Sequence, residues 1–404
     1  MIKPDAIQNN YSGPIIEHIE KAGFKIIAMK LKQLSIEQAR QFYKIHEERP
    51  FFDDLIKYIT SGPIIAAILE KDNAVVEFRN LIGSTDPSDA ENGTIRKEFA
   101  ESKAKNAIHG SDSDKNAKIE LLAEGFDWAE GPVWVDRLNG VLFSDVPNNK
   151  VYMWNEKKGL SIFIEPSGMT NYSPTNKSDG SNGLALDKNG NLILCQHGDR
   201  TVAQLKKWNF KKPSFDIIVE KYKGKRLNSP NDLVFDKSGS IYFTDPPYGL
   251  KIQDDDPLKE LNFNGIYRWS ESKGIELLSK SMKRPNGIIL SEDEKTVYVG
   301  NSDKDNNVII AFDNNKNGLV NERVFFDGNK LSKNRVGLFD GLKLHSSGII
   351  FTTGPGGVLL LDSKGKHLGT IMPGKATANC AFDSDESYLY LTSDNVLARI
   401  KLKS

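Results

Sequence analysis

One short phrase recurs six times between Glu130 and Asn379, and that recurrence limits what the chain can fold into. An oxygen-bearing side chain comes first, usually followed by Gly, then by an alternating apolar segment ending in Asp, Ser or His. The copies are Glu130-GPVWVD, Asn182-GLALD, Asn231-DLVFD, Asn286-GIILS, Asp340-GLKLH and Asn379-CAFD. Their first residues stand 52, 49, 55, 54 and 39 positions apart. A period near 50 residues in a strand-rich region marks a β-propeller with one copy per blade. Radial symmetry then carries all six leading residues to one axis. The pairs Asn139-Gly140, Asn189-Gly190, Ser238-Gly239 and Ser347-Gly348 fall between the first and second strand of their repeats, where hairpin turns belong.

The residues before the repeats have another rhythm. Residues 12–22 form an amphipathic helical pattern that stops at Gly23, and 24–31 an apolar strand. Ser35 is a good N-cap for a helix to about Ile45. A helix over 51–60, a strand over 62–69, a helix over 73–82, a long loop over 83–105 and a short strand over 106–109 follow. A chain of 404 residues exceeds the usual size of one core. The join falls within Lys118 to Glu124, giving a first domain over 1–120 and a propeller over 121–404.

Lys+Arg and Asp+Glu both number 54, so the chain carries no net charge and no polybasic surface for nucleic acid or anionic membrane. Apolar runs such as Ile64 to Leu69 are too short to span a bilayer, and the opening Met-Ile-Lys-Pro-Asp has no apolar signal core. A soluble, cytoplasmic protein is expected. Cys195 and Cys380 are too few for a disulfide framework and read as buried small hydrophobes.

Chemistry in the first domain centres on Asn106-Ala-Ile-His109-Gly-Ser111-Asp-Ser. A histidine at a strand end, beside Gly and small hydroxyls, can be approached closely, and neutral imidazole is a competent nucleophile. From one histidine alone, a loop residue with a structural hydrogen bond is the simpler account. Lys3, Arg79, Arg96, Thr85 and Asn106 are of the types that phosphoryl transfer needs, and Tyr43 and Phe51 could bracket a base.

MIKPDA, FYKIHEERPFFDDLIKYITSGP, IGSTDP, TIRKEF and NAIHGSDS together resemble the nucleoside diphosphate kinase family over nearly all of residues 1–120. The resemblance implies a ferredoxin-like α+β sandwich that moves a γ-phosphate from ATP to nucleoside diphosphates through phosphohistidine. It implies His109 as nucleophile and Lys3, Arg79, Thr85, Arg96 and Asn106 as phosphate and ribose contacts. Phe51, with Leu55, would pack on the base, and Ser111 and Glu120 would orient the histidine. Magnesium would arrive with the nucleotide, and copies would assemble through this domain. Family members enter the Lys-Pro-Asp phrase from a longer central strand and continue past Glu120, so the domain is expected to be shortened at both ends.

In the propeller, two of the six leading residues are carboxylates, Glu130 and Asp340, and four are amides. Carboxylates facing one axis repel unless a cation lies between them, and oxygen donors favour calcium before zinc. Asn, Asp and Gly at strand starts also serve as plain turn residues, which would leave water on the axis. Repetition alone does not decide between these.

AEGPVW, DGSNGLALD, CQHGDR, LNSPNDLVFD, YFTDPPYG, RPNGIIL, FDGLKL, GPGGV and NCAF resemble the gluconolactonase/regucalcin family of six-bladed propellers over residues 121–404. That resemblance implies a metal-dependent lactonase or related esterase. Glu130, Asn231, Asn286 and Asp340 would ligate the metal, with calcium the expected ion. Asp340 would also be the general base or acid, and Asn182, His197 and Asn379 would line the substrate mouth. Two rivals stand beside a lactone hydrolase: a calcium-holding propeller without turnover, and a propeller esterase or phosphotriesterase. Trp128, Trp134, Trp154, Trp208 and Trp269 are expected between sheets, and His345 in a turn. Lys206 to Lys212 is expected as a solvated hairpin and Asp254-Asp255-Asp256 as a solvated loop.

Overall fold

The computed structural model describes residues 1–43, 47, 49–71, 74–110, 119–170, 179–208, 213–316 and 318–402. Two compact units emerge: Met1–Lys118 with Lys401–Ser404, and Ile119–Ile400. No described helix is long and apolar enough to cross a membrane.

In the first unit the helix Ser12–Lys21 ends before Gly23, whose φ of +81° suits glycine. Ser35 and Gln38 bond reciprocally through their side chains and backbone N–H groups, a capping box that opens the helix Ile36–Phe42. Lys25–Lys32 pairs antiparallel with Ile64–Glu70, and Ile2 bridges Ile65 on one side and Ile108 on the other. Ile15 and Ile19, on Ser12–Lys21, and Phe78 and Ile82, on Ala74–Ile82, pack with Phe24, Ile95 and Ile108. Helices thus cover the sheet in a ferredoxin-like α+β sandwich, as expected. The expected strand over 106–109 shrinks to one bridge because Ala107 turns to φ +63° and gives its N–H to the Asp5 carboxylate at 3.0 Å. The expected loop over 83–105 contains a short helix, Ile95–Phe99, which buries Ile95 and Arg96.

The second unit is a six-bladed propeller of four-stranded antiparallel sheets. The innermost strands are Ala129–Val135, Ser181–Leu186, Leu233–Phe235, Pro285–Leu290, Leu342–Leu344 and Thr377–Phe382. Each touches the next, and the sixth returns to the first. The sixth blade takes its outer strand, Glu120–Glu124, from the start of the unit, pairing it with Val396–Lys401. That closure leaves the ring without an open end.

Apolar side chains fill the wedges between blades. Leu142, Phe163 and Leu194 pack between the first and second, and Cys195, Phe243 and Tyr267 between the second and third. Trp134, Trp154, Trp208 and Trp269 lie in these wedges as expected: Trp134 stacks on Tyr390, for example, and Trp208 meets Phe163 edge-on. Trp128 differs and lines the hub cavity. His345 occupies a turn, accepting the Ser347 N–H, and wedges beside Phe382. Both cysteines are buried and free. Asp254 and Asp255 are exposed as expected, with Asp254 pairing with Arg284 and Lys259, but Asp256 is buried and accepts two backbone N–H groups. Residues 209–212 of the basic–aromatic segment lie outside the described residues.

Three of the four glycines that follow leading residues have a backbone packing reason. A Cβ on Gly131 would lie 2.1 Å from the carbonyl oxygen of Asn182, on Gly183 2.6 Å from that of Asn231, and on Gly287 2.0 Å from that of Asp340. The obstacle is backbone of the next blade, which cannot rotate away. Gly287→Ala is therefore expected to destabilise the propeller by about 1–3 kcal/mol or more. An unchanged denaturant midpoint would show that the inner strands are looser than this packing requires.

Candidate active sites

Four of the inner strands shift register at the phrase: between Glu130 and Val133, Ser181 and Leu184, Pro285 and Ile288, and Thr377 and Asn379. Such bulges re-aim a side chain out of the sheet. Loops before the leading residues are tied down by buried side chains. Asp245 accepts the N–H groups of Asn228 and Ser229, both at 2.8 Å, ahead of Asn231. Asn301 accepts that of Arg284 ahead of Asn286, and Asn307 that of Phe339 ahead of Asp340.

The result is a cavity of about 390 Å³ over the hub, lined among others by Glu130, Asn182, His197, Asn231, Asn286 and Asp340. All six are buried or lie on its wall. Asn379 does not line that wall; its amide hydrogen-bonds Glu130. Trp128, Tyr248 and Ser302 also line the cavity and were not foreseen. Tyr248 sits in the YFTDPPYG phrase, but nothing in that phrase says its ring reaches another blade. Its hydroxyl meets Ser302 and Asn286, and burial with the nearby Asp340 charge holds it protonated.

Burial pushes the Glu130 carboxyl up to about 7 despite the Gly131 N–H at 2.7 Å. Burial, then the Glu130 and Asp232 charges, pushes Asp340 well above the carboxylate range. His197 is pushed down to about 4 by burial, so its ring is neutral. Asn182 Oδ1 and Asp340 Oδ1 are buried and accept no hydrogen bond among the described residues. Crowded carboxylates and unsatisfied oxygens, with no sulfur donor among the six, fit a hard divalent cation.

In the first unit, Lys3 is buried and donates to Asn106 Oδ1 at 2.6 Å. Burial and the Arg96 charge push Lys3 down to about 8, while burial and the Arg79 charge push Arg96 down to about 10. Arg96 also donates to the carbonyls of Gly83 and Ile108, and Asn106 to that of Thr85. Positive charge thus accumulates from Lys3 to Arg96 and from Arg96 to Arg79, with Asp5 beside Lys3. His109 is half-buried beside it in sequence and packs edge-on to Phe42 and Tyr43, at 5.6 and 6.2 Å between centroids. Phe51 is exposed, and Leu55 packs against the cluster that holds Tyr43. Ser111 lies outside the described residues. Glu120 is placed in the propeller, where its carboxylate accepts Arg399 Nε at 2.8 Å.

Residues 1–123 match the nucleoside diphosphate kinase family, and residues 128–395 match the SMP-30/Gluconolactonase/LRE-like region. The chain belongs to both families. A nucleoside diphosphate kinase of Flavobacterium psychrophilum is 58% identical over 120 residues, 30% of this chain and 86% of that protein. A gluconolactonase of Zymomonas mobilis is 36% identical over 298 residues, 72% of this chain and 83% of that protein. The structure of a gluconolactonase from Xanthomonas campestris matches with a TM-score of 0.60 at 28% identity, covering 70% of this chain and 89% of that one.

The buried carboxyls of the gluconolactonase-family propeller set a pH dependence. Burial pushes the Glu130 carboxyl in the folded chain up to about 7, above the 4.5 of an ordinary glutamate. The folded state therefore holds its proton longer, and stability present below pH 4.5 is lost as pH rises through about 7. In chelator, the stability of the native chain relative to Glu130→Gln is expected to fall across that window, and saturating calcium is expected to reverse the fall. Parallel profiles for the two proteins would contradict the assignment.

Proposed function

We propose that the propeller hydrolyses a cyclic ester with the help of a divalent cation. The observation that carries this reading is the convergence of Glu130, Asn231, Asn286 and Asp340 on one buried cavity with unsatisfied oxygens. Those four residues would hold the ion, calcium first, and a bound ion supplies Lewis-acid polarisation of the ester carbonyl. Asp340 takes a proton from the attacking water as the water oxygen bonds to the carbonyl carbon. The ring C–O bond then breaks, and the protonated Asp340 returns its proton to the leaving alkoxide, giving a hydroxy acid. Neutral His197 and Asn182 stand on the wall to hydrogen-bond the hydroxyls of a sugar-like lactone. Tyr248 and Ser302 hold the Asn286 side chain in place.

Asp340→Asn is expected to lower lactone hydrolysis by about 100-fold or more while leaving the thermal midpoint of the fold in place. Chelator is expected to abolish hydrolysis and calcium to restore it. Chelator-insensitive turnover would overturn the metal-dependent reading, and calcium binding without turnover would favour a binding propeller.

We further propose that the kinase-family domain transfers phosphate through His109. The cation cluster of Lys3, Arg79 and Arg96 supports this reading, with Asn106 and Thr85 beside it for ribose and phosphate. Magnesium would come with ATP. γ-Phosphate-labelled ATP is expected to leave acid-labile label on the native protein and none on His109→Asn. Equal labelling of both would remove His109 from the reaction.

A further inference from the structure

Two of the six repeats break the phrase with a charge. The second position is Gly131, Gly183, Gly287, Gly341 or Cys380 in five copies and Asp232 in the remaining one. The fourth is Val133, Ala185, Val234, Ile289 or Phe382 in five copies and Lys343 in the other. All six fourth residues line a second cavity, farther along the same inner strands, of about 580 Å³. Lys343 is thus a lone cation in a ring that is otherwise apolar.

Its surroundings give that cation a task. Lys343 Nζ lies 3.4 Å from Asn379 Oδ1, which also accepts the Cys380 N–H at 2.9 Å. With its oxygen so committed, the Asn379 amide turns its NH₂ group toward Glu130. Asp232 is 2% exposed; its Oδ1 accepts the Leu233 N–H at 2.9 Å, and its Oδ2 has no partner among the described residues. Asp232 is close enough to bear on both Glu130 and Asp340. Glu130 and Asp340 on the cavity wall thus feel a third carboxylate charge from Asp232. A divalent cation answers two of those charges, and the Lys343 charge acts on Glu130 in the opposite sense to that of Asp232. Buried charge persists where it is balanced.

We propose that Lys343 is a positioning residue for the hub cation, its charge acting on Glu130 against that of Asp232 and, through Asn379, holding the Glu130 carboxylate as a ligand. The inference rests on the metal-dependent reading above and assigns to it two residues outside the ligand set. Lys343 touches no reacting atom, so its effect belongs to ion affinity.

Calorimetric titration of the metal-stripped full chain with calcium tests it. Lys343→Met is expected to weaken calcium binding by at least about tenfold, and Lys343→Arg to retain most of the native affinity. Asp232→Asn combined with Lys343→Met restores charge balance and is expected to bind more tightly than Lys343→Met alone. Native affinity in Lys343→Met would overturn the proposal. So would a double variant no better than the single one, because a packing role predicts losses that accumulate. A native chain that takes up no calcium at all would instead bring down the metal reading, and this inference with it.

Discussion

The backbone carbonyl of a leading residue pressed onto the α-carbon of the preceding blade's glycine is the contact on which the hub depends. Gly131 meets Asn182, Gly183 meets Asn231 and Gly287 meets Asp340 in this way. Hydrogen bonds follow the same seam, from Gly183 N to Asn231 O at 2.7 Å and from Gly287 N to Asp340 O at 3.1 Å. A methyl group at these points would force the inner strands apart and widen the axis. Because they stay close, side chains from six distant stretches of sequence share one cavity. The glycine in the repeated phrase is thus a packing requirement between blades.

Closeness also creates the chemistry. Carboxyls held at the hub lose water and crowd one another, so Glu130 and Asp340 both resist ionisation without a cation. The kinase-family domain shows the opposite sign: Arg96 lies between the charges of Lys3 and Arg79, and burial with that repulsion pushes Lys3 and Arg96 down. Each unit keeps an electrostatic conflict that its expected ligand relieves. Structure without function would tend to remove such conflicts, and their survival at both sites is what supports two enzyme readings in one chain.

Much of this was legible in the sequence because repetition is a long-range signal written locally. Six phrases predicted six blades, and the leading residues Glu130, Asn182, Asn231, Asn286 and Asp340 do reach one cavity. Asn379 obeys the same pattern, yet it stays off the cavity wall and hydrogen-bonds Glu130, since the phrase fixes a strand start and not a rotamer. Tyr248, Ser302 and Trp128 were not legible, because they reach the cavity from loops and second strands that have no shared motif. Lys343 was visible as an exception to a period, but its meaning needed the distance to Asn379. In the first domain, Ser35 marked the start of its helix, which is described as Ile36–Phe42 and not to Ile45. The strand expected at 106–109 failed because Asp5, a hundred residues away, captures the Ala107 N–H. Five-residue Ile95–Phe99 is too short to display a helical period.

An anomalous-scattering crystal structure of the full chain grown with calcium tests the central claim most directly. One ion in contact with both Glu130 and Asp340, at oxygen distances of about 2.3–2.6 Å, is the expected result. A well-ordered hub with no anomalous peak, or a calcium bound only at the surface, would contradict it.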